Sequence, residues 1–93
     1  MTRLDDAARR DFLSKQPEWA VDGEMLRRRF ELSDFPAAIA FVVQVAFSAE
    51  AADHHPDIDI RWNKVTIALT THEAGALTAK DTDLANEISA LAG

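Results

Sequence analysis

The chain has 93 residues, 47% of them apolar and 28% charged, with a net charge of −6 and no cysteine. That balance belongs to a folded protein, and the length makes one domain over residues 1–93. The acidic field opposes binding to nucleic acid or anionic membranes, and the lack of thiols excludes disulfide staples, thiolate zinc sites and cysteine nucleophiles.

The opening "MTRLDDAARRDF" carries acids and no apolar leader segment, and no apolar run reaches the ~18 residues of a membrane span, so a cytoplasmic protein is expected. Thr2 is the expected cap of a first helix, with Asp5 and Asp6 in its first turn; Leu4, Ala8 and Phe12 recur at helical spacing before Pro17 ends it. Trp19 and Val21 then share one strand face, Asp22-Gly23 signals a hairpin turn, and a return strand from about Met25 to Leu32 sets Leu26, Phe30 and Leu32 on one side. Arg27 to Arg29 fall in that strand and read as a solvated face.

Ser33 or Asp34 caps the next helix, with Pro36 in its first turn. From Ala37 to Phe47 only Gln44 is polar. A helix apolar all round needs cover on more than one side, and in a chain this short the second cover is a further copy. A homodimer or homotetramer joined through the helix at residues 37–51, with a sheet edge as a second contact, is therefore expected. Ile58, Ile60 and Trp62 alternate as a strand, Asn63-Lys64 reads as the turn, and Val65, Ile67 and Leu69 alternate in the next strand. Thr78 and Asp81 have capping-box spacing at the start of a last helix with Leu84, Ile88 and Leu91 on its apolar stripe. The order is α-β-β-α-β-β-α, which predicts an α+β fold: a four-stranded antiparallel sheet with helices packed mainly on one face.

All three histidines, His54, His55 and His72, lie in the second half of the chain. Histidine is the side chain that exchanges protons near neutrality. A lone histidine is ordinarily a surface or satisfied core residue, but three in one window are a candidate site. Pro56 biases His55 towards extended backbone, where neighbouring side chains diverge, so the adjacent pair is expected to take two roles rather than chelate one ion. His72 ends the fourth strand with the parity of Thr66, Ala68 and Thr70 if that strand stays regular. Two segment ends thus bring three imidazoles towards one pocket. A zinc site lacks the H-x-x-x-H helical spacing, so no metal is expected.

The run from Glu50 through Ala51-Ala52-Asp53 to His54-His55-Pro56, then five residues to Trp62, nine to His72 and eight to Asp81, resembles the signature of the pterin-4a-carbinolamine dehydratases. The resemblance is close from residue 50 to the C-terminus and extends through element order to nearly the whole chain. It implies a small α+β domain that expels water from a 4a-hydroxytetrahydropterin, left by aromatic amino-acid hydroxylases, to give quinonoid dihydropterin, with neither metal nor organic cofactor. Carried over by position, it implies that His54 and His72 are the acid/base pair. His55 would hold the pterin and share in proton transfer, and Asp81 would bind or orient from the start of the last helix. Glu50 and Asp53 would fix imidazole tautomers or meet the pterin's amino-pyrimidinone edge, and Trp62 would be core or pocket wall. Two positions depart from the family pattern: Ile58 stands where an aromatic is common, and Lys80 where the basic residue is often arginine. Two other functions compete with catalysis: a protein-interaction module of the dimerisation-cofactor type, and a pterin-binding protein acting on another reduced pterin such as a molybdopterin precursor.

Overall fold

A computed structural model describes residues 1–93. Asp5, rather than Thr2, caps the first helix, α1 (Asp6–Lys15), by accepting the Ala8 N–H at 2.8 Å. The chain then forms β1 (Ala20–Asp22), β2 (Met25–Glu31), α2 (Phe35–Ala52), β3 (Asp57–Arg61), β4 (Lys64–Leu69) and α3 (Ala79–Ala92). The four strands make one antiparallel sheet in the order β1-β2-β4-β3. This is the α+β architecture expected.

Alternation fixes which face is covered. Leu26 and Phe30 of β2 share a face with Val65, Ile67 and Leu69 of β4, and all five are buried against Ala38, Phe41, Val45 and Ala49 of α2 and Leu84, Ala85 and Ile88 of α3. Each large apolar side chain so buried contributes about 1.5–3 kcal/mol. An aromatic chain ties this core to α1: Trp19 stands edge-to-face with Phe12 at 6.5 Å and with Phe30 at 6.1 Å, and Phe30 lies tilted against Phe41 at 4.9 Å. Trp19 sits just before β1, where its indole N–H donates to Ser89 Oγ at 2.8 Å.

Both hairpin turns fall one residue away from where local turn chemistry puts them. Asp22 pairs with Met25, so the first turn is Gly23-Glu24, with Gly23 taking the positive φ of 60°. Arg61 pairs with Lys64, so the second is Trp62-Asn63, and Trp62 leaves the strand with φ 54°. The cause is tertiary: Asn63 accepts the Leu32 N–H at 2.8 Å and its side-chain amide donates back to the Leu32 carbonyl at 2.8 Å, locking Asn63 to the end of β2. The arginine run also splits: Arg27 and Arg29 face solvent, whereas Arg28 lies on the helix side with its guanidinium 4.1 Å from the Phe30 ring centroid.

In α2, Asp34 is the cap, accepting the Ala37 N–H at 2.8 Å. The opposite side of this helix leaves Phe35, Ile39, Val43 and Phe47 exposed in an i, i+4 stripe. No uninterrupted apolar run of membrane-spanning length occurs, but by overall length and composition α2 meets the test for a helix able to cross a membrane. Alanine, valine and phenylalanine outweigh Gln44, Ser48 and Glu50 over its 18 residues. A core helix meets the same test, and one face of α2 does pack in the core.

Candidate active site

The end of α2 delivers the first two histidines. Asp53 adopts the left-handed conformation (φ 48°, ψ 44°), and the next residue, His54, returns its N–H to the Ala49 carbonyl at 3.0 Å. The chain thereby reverses beneath the helix end, a task usually given to glycine and tolerated by Asp or Asn. His54 turns inward and is buried; His55 turns outward. The expected divergence of the pair is thus built by a helix cap as well as by Pro56.

His54 meets Asp81 across the interior, Nε2 to Oδ1 at 2.5 Å. Asp81 is 0% exposed and its other oxygen is also engaged: Oδ2 accepts the Thr71 hydroxyl at 2.8 Å and the Thr78 N–H at 3.0 Å. The last of these closes the capping box of α3, as the Thr78/Asp81 spacing predicts. Buried polar groups need such partners, and this carboxylate has them on both oxygens. Enclosed, with both oxygens engaged, Asp81 is placed to orient His54 from the start of α3, the second of the two tasks the resemblance implies for it.

The fourth strand stops at Leu69, short of the regular course expected to residue 72. Thr71 still follows its inward parity and bridges to Ala76, while His72 opens the exposed turn of residues 72–75. Glu73, unnoticed in the sequence although it directly follows the motif histidine, is held below the usual carboxylate range by its own backbone N–H, with help from Lys80 and the imidazoles of His54 and His72. His55 Nε2 pairs with Glu50 Oε1 at 2.9 Å on the surface, and Asp53 is exposed beside them. Such a contact is of the kind by which a carboxylate can fix an imidazole's tautomer.

Two expectations are corrected. Trp62 is 66% exposed in the β3–β4 turn, with Lys64 Nζ 4.9 Å from its ring centroid. Strand β3 separates it from the histidines by five residues, roughly 17 Å at about 3.3 Å per residue, so within one chain it is neither core nor wall of their site. The imidazoles also share no enclosed pocket in the single chain. The molecule has two surface grooves, one of about 290 Å³ on the open sheet face beside Arg27 and Asp57, the other of about 250 Å³ between α1 and α3, and no histidine lines either. The reason is the exposure of His55 and His72, which leaves the site an open surface around one buried ring. No three His, Asp or Glu side chains gather in metal-binding geometry.

A second polar cluster, not read from the sequence, braces the same region from behind. Glu24 takes Arg9 in a two-pronged ion pair at 2.7 and 2.9 Å, Arg3 at 3.1 Å and the Leu77 N–H at 3.1 Å, while its carbonyl accepts the Thr70 hydroxyl at 2.6 Å. The Arg9 hydrogen bonds, followed by those from Leu77 and Arg3, lower the Glu24 carboxyl to about 2. The first hairpin is thereby fastened to both ends of the loop that carries Thr71, His72 and Thr78. Its only sequence signal was an arginine, Arg9, adjoining the apolar face of the first helix.

A family model described as pterin 4 alpha carbinolamine dehydratase matches residues 2–91. The chain belongs to the pterin-4a-carbinolamine dehydratase family. It is 60% identical over 87 residues to a protein of Roseiflexus sp. strain RS-1, covering 94% of each chain, and 54% identical over the full length of both chains to one from Chloroflexus aurantiacus. Both of these relatives are provisionally named pterin-4-alpha-carbinolamine dehydratases. Among solved structures, a transcriptional coactivator/pterin dehydratase from Brucella melitensis superposes with a TM-score of 0.93 at 34% identity, over 99% of this chain and 100% of its own. A pterin dehydratase-like protein identified as a RuBisCO assembly factor in the alpha-carboxysome superposes with a TM-score of 0.66 at 26% identity, over 81% and 87%. The family's architecture therefore extends over essentially the whole of this chain.

Proposed function

We propose that this chain is a cytoplasmic pterin-4a-carbinolamine dehydratase acting in tetrahydropterin recycling, its 93 residues working as one domain. The observation that carries the reading is the buried His54 ring: Asp81 holds one nitrogen, and the other edge is free to meet a ligand. The reaction needs two proton movements. The C4a–O bond breaks with its electron pair going to oxygen, which leaves as water once an imidazolium has protonated it. N5 gives its proton to a neutral imidazole, and the electrons of the N5–H bond form the new C4a=N5 bond. His54 and His72 are the proposed acid/base pair, each typically worth ~10²–10⁴ in rate. His55, backed by Glu50, holds the flat ring and shares in proton transfer, with Asp53 at the pyrimidinone edge. Neither a metal nor an organic cofactor enters this scheme.

The test is to generate the 4a-hydroxytetrahydropterin and follow its dehydration by absorbance. His54→Ala and His72→Ala are each expected to lower the rate ~10²-fold or more. A wild-type rate equal to the uncatalysed background ends the proposal, and a reduced pterin of another kind, such as a molybdopterin precursor, then becomes the candidate ligand.

One observation favours an additional interaction role: the stripe of Phe35, Ile39, Val43 and Phe47 along α2. Exposed apolar patches of this kind mark protein contacts. A second copy is its proposed occupant, giving a homodimer or homotetramer in which the neighbouring subunit supplies cover that the open site lacks in one chain.

A further inference from the structure

The hydroxyls behind Asp81 form a chain with one self-consistent direction. Thr71 and Thr78 are 0% and 2% exposed, so each must place its single O–H on a protein acceptor. The Lys80 N–H can only donate, and does so to Thr78 Oγ1 at 3.3 Å. Thr78 Oγ1 lies 2.8 Å from Thr71 Oγ1, which lies 2.8 Å from Asp81 Oδ2. Run from Lys80 through Thr78 and Thr71 to Asp81, every hydroxyl donates once and accepts once. The reverse run needs a proton on Asp81 Oδ2 and leaves the Thr78 O–H without an acceptor in the chain. With the Thr78 N–H also directed at Oδ2, the carboxylate is an acceptor on both oxygens.

We propose that Thr71 and Thr78 are positioning residues that fix the tautomer of His54, placing its proton on Nε2 and presenting Nδ1 to the substrate. Nε2 faces an acceptor, so it carries the hydrogen. Nδ1 makes no hydrogen bond within the chain, and Arg28 Nε is the only sealed side-chain nitrogen or oxygen without a partner, so the Nδ1 edge opens to solvent. The buried ring is thus anchored at one nitrogen, and the other is the atom that exchanges protons. Neither threonine touches the ligand. Their contribution reaches it through Asp81 and His54, and it rests on the dehydratase reading only for its kinetic consequence.

The experiment measures tautomer and rate separately. In ¹⁵N-labelled protein with a neutral His54 ring, long-range ¹H–¹⁵N correlations distinguish an Nε2–H ring from an Nδ1–H ring. Wild type is expected to show Nε2–H at His54. Thr71→Val, which keeps the shape and removes the hydroxyl, should mix the two patterns and lower kcat ~10-fold with KM within about twofold, while Thr71→Ser restores both. An Nδ1–H ring in wild type overturns the assignment without reference to any variant. So does an unchanged His54 pattern in folded Thr71→Val, or a Thr71→Ser protein that behaves like Thr71→Val. An Nε2–H ring in a wild-type protein that does not dehydrate the carbinolamine supports the hydroxyl direction and overturns the dehydratase reading instead.

Discussion

Replacing Asp81 separates its structural load from its chemical one. In Asp81→Ala the Thr71 hydroxyl, the Thr78 N–H and His54 Nε2 all lose their acceptor inside a region with side-chain exposure of only 7% at His54 and 0% at Asp81. An unsatisfied buried donor costs about 1–3 kcal/mol, and water entering the gap keeps three of them from adding in full. Breaking a buried pair by removing one partner costs about 3–5 kcal/mol, and that is the expected loss. For a domain of this size 1 kcal/mol moves the melting temperature by about 4–8 °C, so Asp81→Ala should melt at least about 12 °C below wild type. Asp81→Asn keeps the shape. Its carbonyl can still accept from Thr71 and Thr78, which turns the amide N–H towards His54 and forces the proton onto the far ring nitrogen. The expected outcome is a loss of only about 1–2 kcal/mol in stability with a fall in kcat of ~10²–10⁴. Thermal melts at matched protein concentration and dehydration rates measure the two effects. An Asp81→Ala protein melting within a few degrees of wild type refutes the claim that this network carries load, and a fully active Asp81→Asn refutes its control of the imidazole.

Four further outcomes are expected. The Glu24 carboxyl lies at about 2 in the folded chain against an ordinary 4.5, so its contribution to stability is complete above pH 4.5 and disappears as pH falls towards 2; the gap in melting temperature between wild type and Glu24→Gln should therefore narrow over that interval, and a constant gap contradicts the assignment. Asp53→Gly should match or exceed wild type by up to about 1 kcal/mol in chemical denaturation, whereas Asp53→Val should lose about 1–2 kcal/mol; equal stabilities would mean that the positive φ carries no strain. Phe47→Glu, at a side chain 75% exposed on the α2 stripe, should convert an oligomer to a monomer by light scattering at micromolar concentration, and a monomeric wild type sinks the self-association proposal. Trp62→Ala should leave KM within about twofold of wild type, and a tenfold rise would put the indole back in the site through another subunit.

What the sequence made legible was local in origin. Alternation at Val65, Ile67 and Leu69, the capping spacing of Thr78 and Asp81, and the Gly23 turn signal each depend on neighbours a few residues away, and they yielded the order of elements and the sheet. The Trp62 turn misled because the deciding contact, Asn63 with Leu32, joins distant segments. At the site, the clustering of the three histidines and the resemblance that added Glu50 and Asp81 were legible, but burial sorted them. Whether Asp81 met ligand or ring turned on how the start of α3 packs beneath the end of α2, which no spacing encodes. The left-handed Asp53 was missed for lack of a glycine, and Thr71 because a buried hydroxyl one place before a motif histidine has no signature of its own.

The Asp81 carboxylate opens α3 and clasps an imidazole at the same time, so the first turn of that helix cannot unwind while the ring stays seated. Helix ends ordinarily open at little free-energy expense and exchange their amide hydrogens early. Here the amides at the head of α3 should exchange as slowly as the core, making protection at a helix terminus a direct gauge of whether the buried imidazole is in place.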